Sequence, residues 1–157
     1  MPRQTRLILD NVCYHIITRG NQKQTTFRDE EDYGRYLRLV ARYKEKYRFK
    51  IYGWCLMNNH VHMVLESAHL SYAMHGINLS YAQYFRYRYK TTGHFWQDRY
   101  KSYVIQKDEY LINCISYIEY NPVRAKIVLR PEDYRWSSYR ARVLGVDEDG
   151  LLDTLIL

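Results

Sequence analysis

Two strand-like runs separated by a pair of asparagines constrain this chain more than any other feature. Phe49 to Met57 and His60 to Glu66 are rich in aromatic, branched and sulfur-bearing side chains, and Asn58-Asn59 lies between them. Asparagine tolerates the positive φ that tight hairpin connections demand, so the pattern predicts an antiparallel hairpin. Val12 to Thr18 (VCYHIIT) reads as a further strand, stopping at Arg19-Gly20-Asn21. Asp29 reads as an N-cap, with Asp32 near the positive end of a helix that runs to about Tyr47. Within it Tyr33, Tyr36, Leu37, Val40 and Tyr43 recur at helical spacing. A second helix is expected over roughly Tyr72 to Lys90, with Gly93 closing that region. Arg99 to Gln106 (RYKSYVIQ) returns as a strand. Asp108 caps a third helix reaching about Tyr120, where Asn121-Pro122 disturbs it, because a residue before proline is biased away from helix. The order is β-α-β-β-α-β-α. Its first six elements match a ferredoxin-like split βαβ arrangement, an α+β fold with an antiparallel sheet and helices on one face.

The 157 residues suit one compact domain, expected over residues 1–145. Residues 146–157 form an acidic and apolar tail that could be solvated, pack on the body, or screen a charged surface. Met1 to Asp10 mixes Pro2, Arg3 and Arg6 with a short Leu7-Ile8-Leu9 patch and does not resemble a secretory leader. No apolar run approaches the ~18 residues of a membrane span. A soluble cytoplasmic protein without a membrane partner is the expectation. Cys13, Cys55 and Cys114 are far apart and make neither a CxxC pair nor zinc-ligand spacing, so free thiols are expected.

Charge narrows the partner. The formal net charge is +7, yet the tail carries Asp147, Glu148, Asp149 and Asp153 with no Lys or Arg. The first 145 residues therefore hold 24 basic against 13 acidic side chains. Such a surplus favours a polyanion, because phosphate contacts and counterion release supply most non-specific nucleic-acid affinity. The 18 tyrosines add aromatic faces suited to unstacked bases.

His60-Val61-His62 is the sharpest local feature. Side chains alternate along a strand, so both imidazoles project from one face while Val61 faces the other. Two imidazoles on one face suit a divalent metal better than a core, and a surface or hydrogen-bonded pair is the other reading. Tyr117-Ile118-Glu119-Tyr120-Asn121-Pro122 ends the third helix, with Tyr117 and Asn121 on one helical face. A phenol of pKa ~10 is a poor nucleophile. It can attack a phosphate polarised by a metal, and a phosphotyrosine ester keeps the energy of the broken bond. The competing reading makes Tyr117 one more core aromatic.

Several stretches, in order, resemble the REP-associated tyrosine transposases within the single-tyrosine HUH transposases of insertion sequences. They are IITRGNQKQTTFRDEEDY, WCLMNNHVHMVLE, GHFWQDRYKS, YIEYNPVRAKIV and YRWSSY, spanning about residues 12–140. The resemblance implies a Mg²⁺- or Mn²⁺-dependent enzyme that nicks and rejoins single-stranded or hairpin DNA through a 5′-phosphotyrosine. It places the HUH pair on His60 and His62, the nucleophile on Tyr117 and a further metal ligand on Asn121. Insertion-sequence relatives usually carry glutamine at that last position, and a frequent proline before the HUH block is replaced here by Asn58-Asn59. Relatives act as dimers or alone, so a monomer or a homodimer is expected.

Arg19 and Asn21 in the TRGN stretch, Arg99, Lys101 and Arg124 are candidate DNA contacts. Arg86 and Arg88 join them from the second helix, where Tyr81, Tyr84, Phe85, Tyr87 and Tyr89 offer either a stacking platform or core. Trp136-Ser137-Ser138-Tyr139 reads as a packing motif. His15, His69, His75 and His94 have no partner spacing and are assigned no role. Two other functions compete: a non-catalytic nucleic-acid-binding regulator on the same fold, and a metal-dependent nuclease that uses water.

Overall fold

The computed structural model describes residues 12–156; the amino-terminal segment read for a leader, Met1 to Asp10, lies outside them. Four strands form one antiparallel sheet in the order β2-β3-β1-β4. They are β1 (Val12–Arg19), β2 (Lys50–Leu56), β3 (His60–Ser67) and β4 (Lys101–Ile105). Helix α1 (Glu30–Tyr47) joins β1 to β2, and α2 (Leu70–Tyr89) joins β3 to β4. This is the expected ferredoxin-like order.

Local chemistry sets the helix limits. The Asp29 side chain accepts from the Asp32 N–H at 3.1 Å, and Glu30, Glu31 and Asp32 occupy the positive first turn of α1. The third helix, α3 (Glu109–Glu119), is capped by Asp108, which accepts from the Tyr110 N–H. Pro122 does more than end α3. It opens a second short helix, α4 (Asn121–Arg124), whose first turn needs no N–H from proline.

The hairpin between β2 and β3 forms, though not by the expected turn chemistry. Neither Asn58 nor Asn59 adopts a positive φ. Their carbonyls are instead held from outside: Asn58 O accepts from Thr26 and Phe27 N–H, and Asn59 O accepts from Gly20 N–H. The turn is thereby tied to the segment that follows β1.

The two sheet faces carry different chemistry. Tyr14, Ile16, Ile51, Trp54, Leu56, Val61, Met63 and Leu65 meet α1 and α2 in the main core. Side chains of opposite parity face α3, where Leu111, Ile115 and Ile118 pack with Cys13, Tyr52 and Val64. The sheet is thus covered on both faces. Tyr81 and Phe85 are fully buried, so most of the aromatic stripe of α2 is core, while Tyr87 points to solvent. No helix among the described residues is long and apolar enough to cross a membrane. All three cysteines are free thiols.

The β2 edge is closed by two carboxyl-terminal segments, which reduces its exposure to stray pairing. Trp136 O accepts from Leu56 N–H, and Ser138 N–H donates to Trp54 O. Asp153 bonds Ile51 through its backbone N–H and its carboxylate, and pairs with Lys44 at 2.9 Å. Leu151 enters the main core. The acidic tail is therefore packed onto the body. Helix α5 (Tyr139–Leu144) lies between these segments.

Asp32 is the charged centre of the α1–α2 contact. Fully buried, it accepts from Arg28 N–H, Tyr84 Oη, Tyr89 Oη and the Arg88 guanidinium. Arg88 is partly exposed, so losing Asp32 leaves no buried charge behind; what is lost is the set of hydrogen bonds to a buried carboxylate, on the order of 1.5–3 kcal/mol. Asp32→Ala should lower unfolding free energy by that order in urea titrations, whereas a loss of only a few tenths would contradict this role for Asp32.

Candidate active site

The β1–β3 register places Arg19 opposite His60 and Ile17 opposite His62. Both imidazoles lie on the α3 side of the sheet, because Val61 and Met63 between and beyond them enter the main core. Their ring centroids are 5.0 Å apart and nearly perpendicular. His62 is 6% exposed and His60 is half-buried.

Each ring has one nitrogen engaged within the protein. His60 Nδ1 lies 2.6 Å from Asn59 Oδ1. An amide oxygen only accepts, so Nδ1 carries the proton and Nε2 keeps its lone pair. His62 Nδ1 lies 2.9 Å from His15 Nε2 on β1, with the two rings stacked at 5.2 Å. Burial, reinforced by the Arg19 charge, lowers the His60 pKa to about 4. Burial first, then neighbouring His60, His15, Arg19 and Arg124, lowers that of His62 to about 3. Burial also lowers His15. At pH 7 the pair is neutral, the state a metal ligand requires.

Helix α3 carries Tyr117 against this face. Gly53 permits the close approach: a Cβ there would sit 2.8 Å from Ile115 Cγ2. The end of α3 is locked by Glu119, fully buried, which accepts from Ser138 Oγ and the Arg142 guanidinium. Ser138 Oγ also accepts from Trp54 N–H on β2. The Trp136–Tyr139 motif therefore both closes a sheet edge and anchors the helix that bears Tyr117. Tyr117 itself is 58% exposed. The Arg124 guanidinium lies 3.7 Å from its ring centroid and donates to Tyr117 O and Asn121 Oδ1. Arg124 is also one of the charges acting on His62, so it links the tyrosine segment to the histidines. Tyr120 instead turns its ring edge-on to Tyr139.

A cleft of about 380 Å³ opens beside the pair, lined in part by Arg19, Lys23, Asn59, Arg99 and Lys101, with Asp98 as its acidic member. Arg19, Arg99 and Lys101 were among the candidate DNA contacts, and the fold brings them together. Asn21 organises the rim: its backbone N–H donates to Phe95 O and its side chain approaches His94 O. Gly20 is required by crowding, since a Cβ would meet Thr26 Oγ1 at 2.7 Å. Arg86 and Arg88 lie elsewhere. They sit on α2, across the sheet, where Arg86 bonds Gly93 O and Arg88 bonds Asp29 and Asp32. A larger hollow of about 660 Å³ runs along α2 on the other side of the 94–100 segment.

Among the described residues, no group of three or more His, Cys, Asp or Glu is placed to hold a metal ion. The available donors are the two Nε2 atoms and, by the resemblance, the Asn121 amide. The roles of His15, Gly53, Glu119 and Arg142, and of Asn59 as a partner of His60, escaped the sequence reading, whereas Ser138 lies in the stretch read as a packing motif. Only Asn59, adjacent to His60, carried a local signal.

A family model described as IS200-like transposase matches residues 8–121. The fold resembles a solved REP-associated tyrosine transposase bound to a REP hairpin, with TM-score 0.77 and 16% identity over 100% of this chain and 94% of that one. It also resembles a Deinococcus radiodurans R1 protein described as a transposase, with TM-score 0.52 and 15% identity over 75% of this chain and 96% of that one. No curated protein sequence matches significantly.

The neutral histidines make acid stability a test of this geometry. Unfolded histidine titrates near 6.5, whereas folded His60 and His62 titrate near 4 and 3. Below pH 6.5 the unfolded chain binds protons first, so stability present above that pH is lost as pH falls toward the folded values. The melting temperature of metal-free protein should drop across this window, and a His60→Gln/His62→Gln double variant should flatten the drop. An unchanged slope in the variant would contradict the burial argument.

Proposed function

The chain belongs to the IS200-like transposases, and from that premise we propose that it cuts and rejoins single-stranded or hairpin DNA by metal-assisted transesterification, with Tyr117 as nucleophile. The observation that carries this reading is the neutral histidine pair, each ring tied at Nδ1 and, among the described residues, without a partner at Nε2, beside a basic cleft. A hairpin substrate draws support from the fold neighbour, which is bound to a REP hairpin.

His60 and His62 would hold Mg²⁺ or Mn²⁺ through Nε2, with Asn121 Oδ1 as a third donor once released from Arg124. Two imidazoles and an amide leave positions open for phosphate oxygens; the oxygen donors suit either ion, and the imidazole nitrogens favour Mn²⁺ over Mg²⁺. When bound, such an ion supplies positive charge at the non-bridging oxygens of the scissile phosphate. Arg19, Arg99 and Lys101 position the backbone, while Arg124 orients the Tyr117 ring and adds charge beside it. The Tyr117 oxygen then bonds to phosphorus as the bond from phosphorus to the 3′-oxygen breaks. The phenolic proton is given up, the leaving 3′-oxygen gains one, and a 5′-phosphotyrosine remains. Attack by another 3′-OH reverses the exchange and expels the tyrosine, joining new ends without ATP.

Tyr117→Phe should abolish the denaturation-resistant protein–DNA adduct while leaving hairpin binding near wild type, and Tyr120→Phe should retain the adduct. Adduct loss only in Tyr120→Phe would move the nucleophile. His60→Ala and His62→Ala should bind hairpin DNA without cutting it. Cutting with no adduct would identify a water-using nuclease, and binding without cutting by wild type a regulator.

The cleft makes a separate claim. Arg19→Ala and Lys101→Ala should each weaken binding across sequences and reduce the slope of log K against log salt by about one. Unaltered slopes would remove those residues from the phosphate path.

A further inference from the structure

We infer that His15 is a positioning residue for His62, accepting its Nδ1 proton so that the Nε2 lone pair faces the metal. The inference rests on the histidine pair being a metal site, as proposed above, and adds the element that sets the donor state of one ligand.

The strand geometry carries it. His15 lies on the central strand with the same parity as Ile17 and Arg19, and so on the face that presents His60 and His62. Ile17 is directly opposite His62, which makes His15 its diagonal neighbour across the β1–β3 pair. Diagonal neighbours are within reach of long or aromatic side chains. The contact is between named atoms, His15 Nε2 and His62 Nδ1, at 2.9 Å. The rings are stacked at 25° between planes, and Tyr103 on β4 flanks His15 on its other side at 6.2 Å. His15 is thus held between two strands rather than swinging in solvent.

Tautomer logic fixes the direction of the bond. A neutral imidazole carries one proton. If His62 binds a metal through Nε2, its proton is on Nδ1, and the atom opposite must accept. His15 then presents a bare Nε2 and carries its own proton on Nδ1. Asn59 plays the same part for His60 with an amide oxygen. Each proposed ligand therefore has its own acceptor, one from the hairpin turn and one from the central strand. Such outer partners orient a ligand ring and raise its basicity, and losing one typically weakens metal binding about 10–100-fold.

Mn²⁺ binding to full-length protein, followed by the free-ion electron paramagnetic resonance signal, tests this without requiring turnover. His15→Gln keeps an acceptor oxygen at about the reach of imidazole Nε2 and should bind Mn²⁺ close to wild type. His15→Asn is polar but too short, and His15→Phe fills the space without an acceptor. Both should weaken binding about 10–100-fold, with unchanged circular dichroism and unchanged metal-free hairpin binding. Electron spin-echo modulation should count two coordinated imidazoles in wild type and in His15→Gln. Equal affinity in Asn and Gln variants would overturn the proposal, as would three coordinated imidazoles in wild type, which would make His15 a ligand. A wild type that takes up no Mn²⁺ would defeat the metal reading itself and this inference with it.

Discussion

The antiparallel pairing of β1 with β3 is the constraint on which the rest depends. Its register sets Arg19 against His60 and Ile17 against His62, and it brings His15 within hydrogen-bonding distance of His62. A slip of one residue in β3 would turn Val61 and Met63 toward α3 and drive both histidines into the apolar core beneath α1 and α2. The cost of burying bare imidazoles there, together with the apolar surface lost from the core, holds the register. Site geometry is thus a by-product of hydrophobic sorting between two sheet faces.

The second face is where the fold departs from a simple split βαβ unit. Helix α3 sits on it closely because Gly53 leaves room for Ile115. Its far end is held by a buried carboxylate, Glu119, shared between Ser138 and Arg142. These contacts place a rigid scaffold beneath an exposed Tyr117, with Arg124 lying over its ring. Rigidity below and exposure above suit the nucleophile role proposed for Tyr117. The charge arrangement agrees: Arg19, Lys23, Arg99 and Lys101 converge on one cleft, while the acidic tail is tied to β2, Lys44, Arg135 and Arg140.

Period and capping made most of the fold legible in the sequence. The apolar, strand-like runs of Phe49 to Met57 and His60 to Glu66, the caps at Asp29 and Asp108 and the break at Pro122 all depend on neighbours within a few residues. What depended on contacts distant in sequence was not legible. The Asn58-Asn59 turn is held by the segment after β1, not by positive φ. Arg86 and Arg88 were candidate DNA contacts on charge alone; Arg88 is tied to Asp29 and to Asp32, 56 positions away, whereas Arg86 bonds the Gly93 carbonyl. His15 had no local spacing to mark it, because its partner lies 47 positions away. The family resemblance supplied the proposed reacting residues, whereas the residues that hold them in place required the fold.

The central claim is that Tyr117 becomes covalently joined to the 5′-phosphate end exposed at a DNA break. Its most direct measurement is peptide mapping of the adduct formed with Mn²⁺ and hairpin DNA that carries separate labels on its two ends. The account predicts that the fragment 3′ of the cut stays on the protein, attached through phosphate to the peptide containing Tyr117. Attachment at another residue, or retention of the fragment 5′ of the cut, would contradict it.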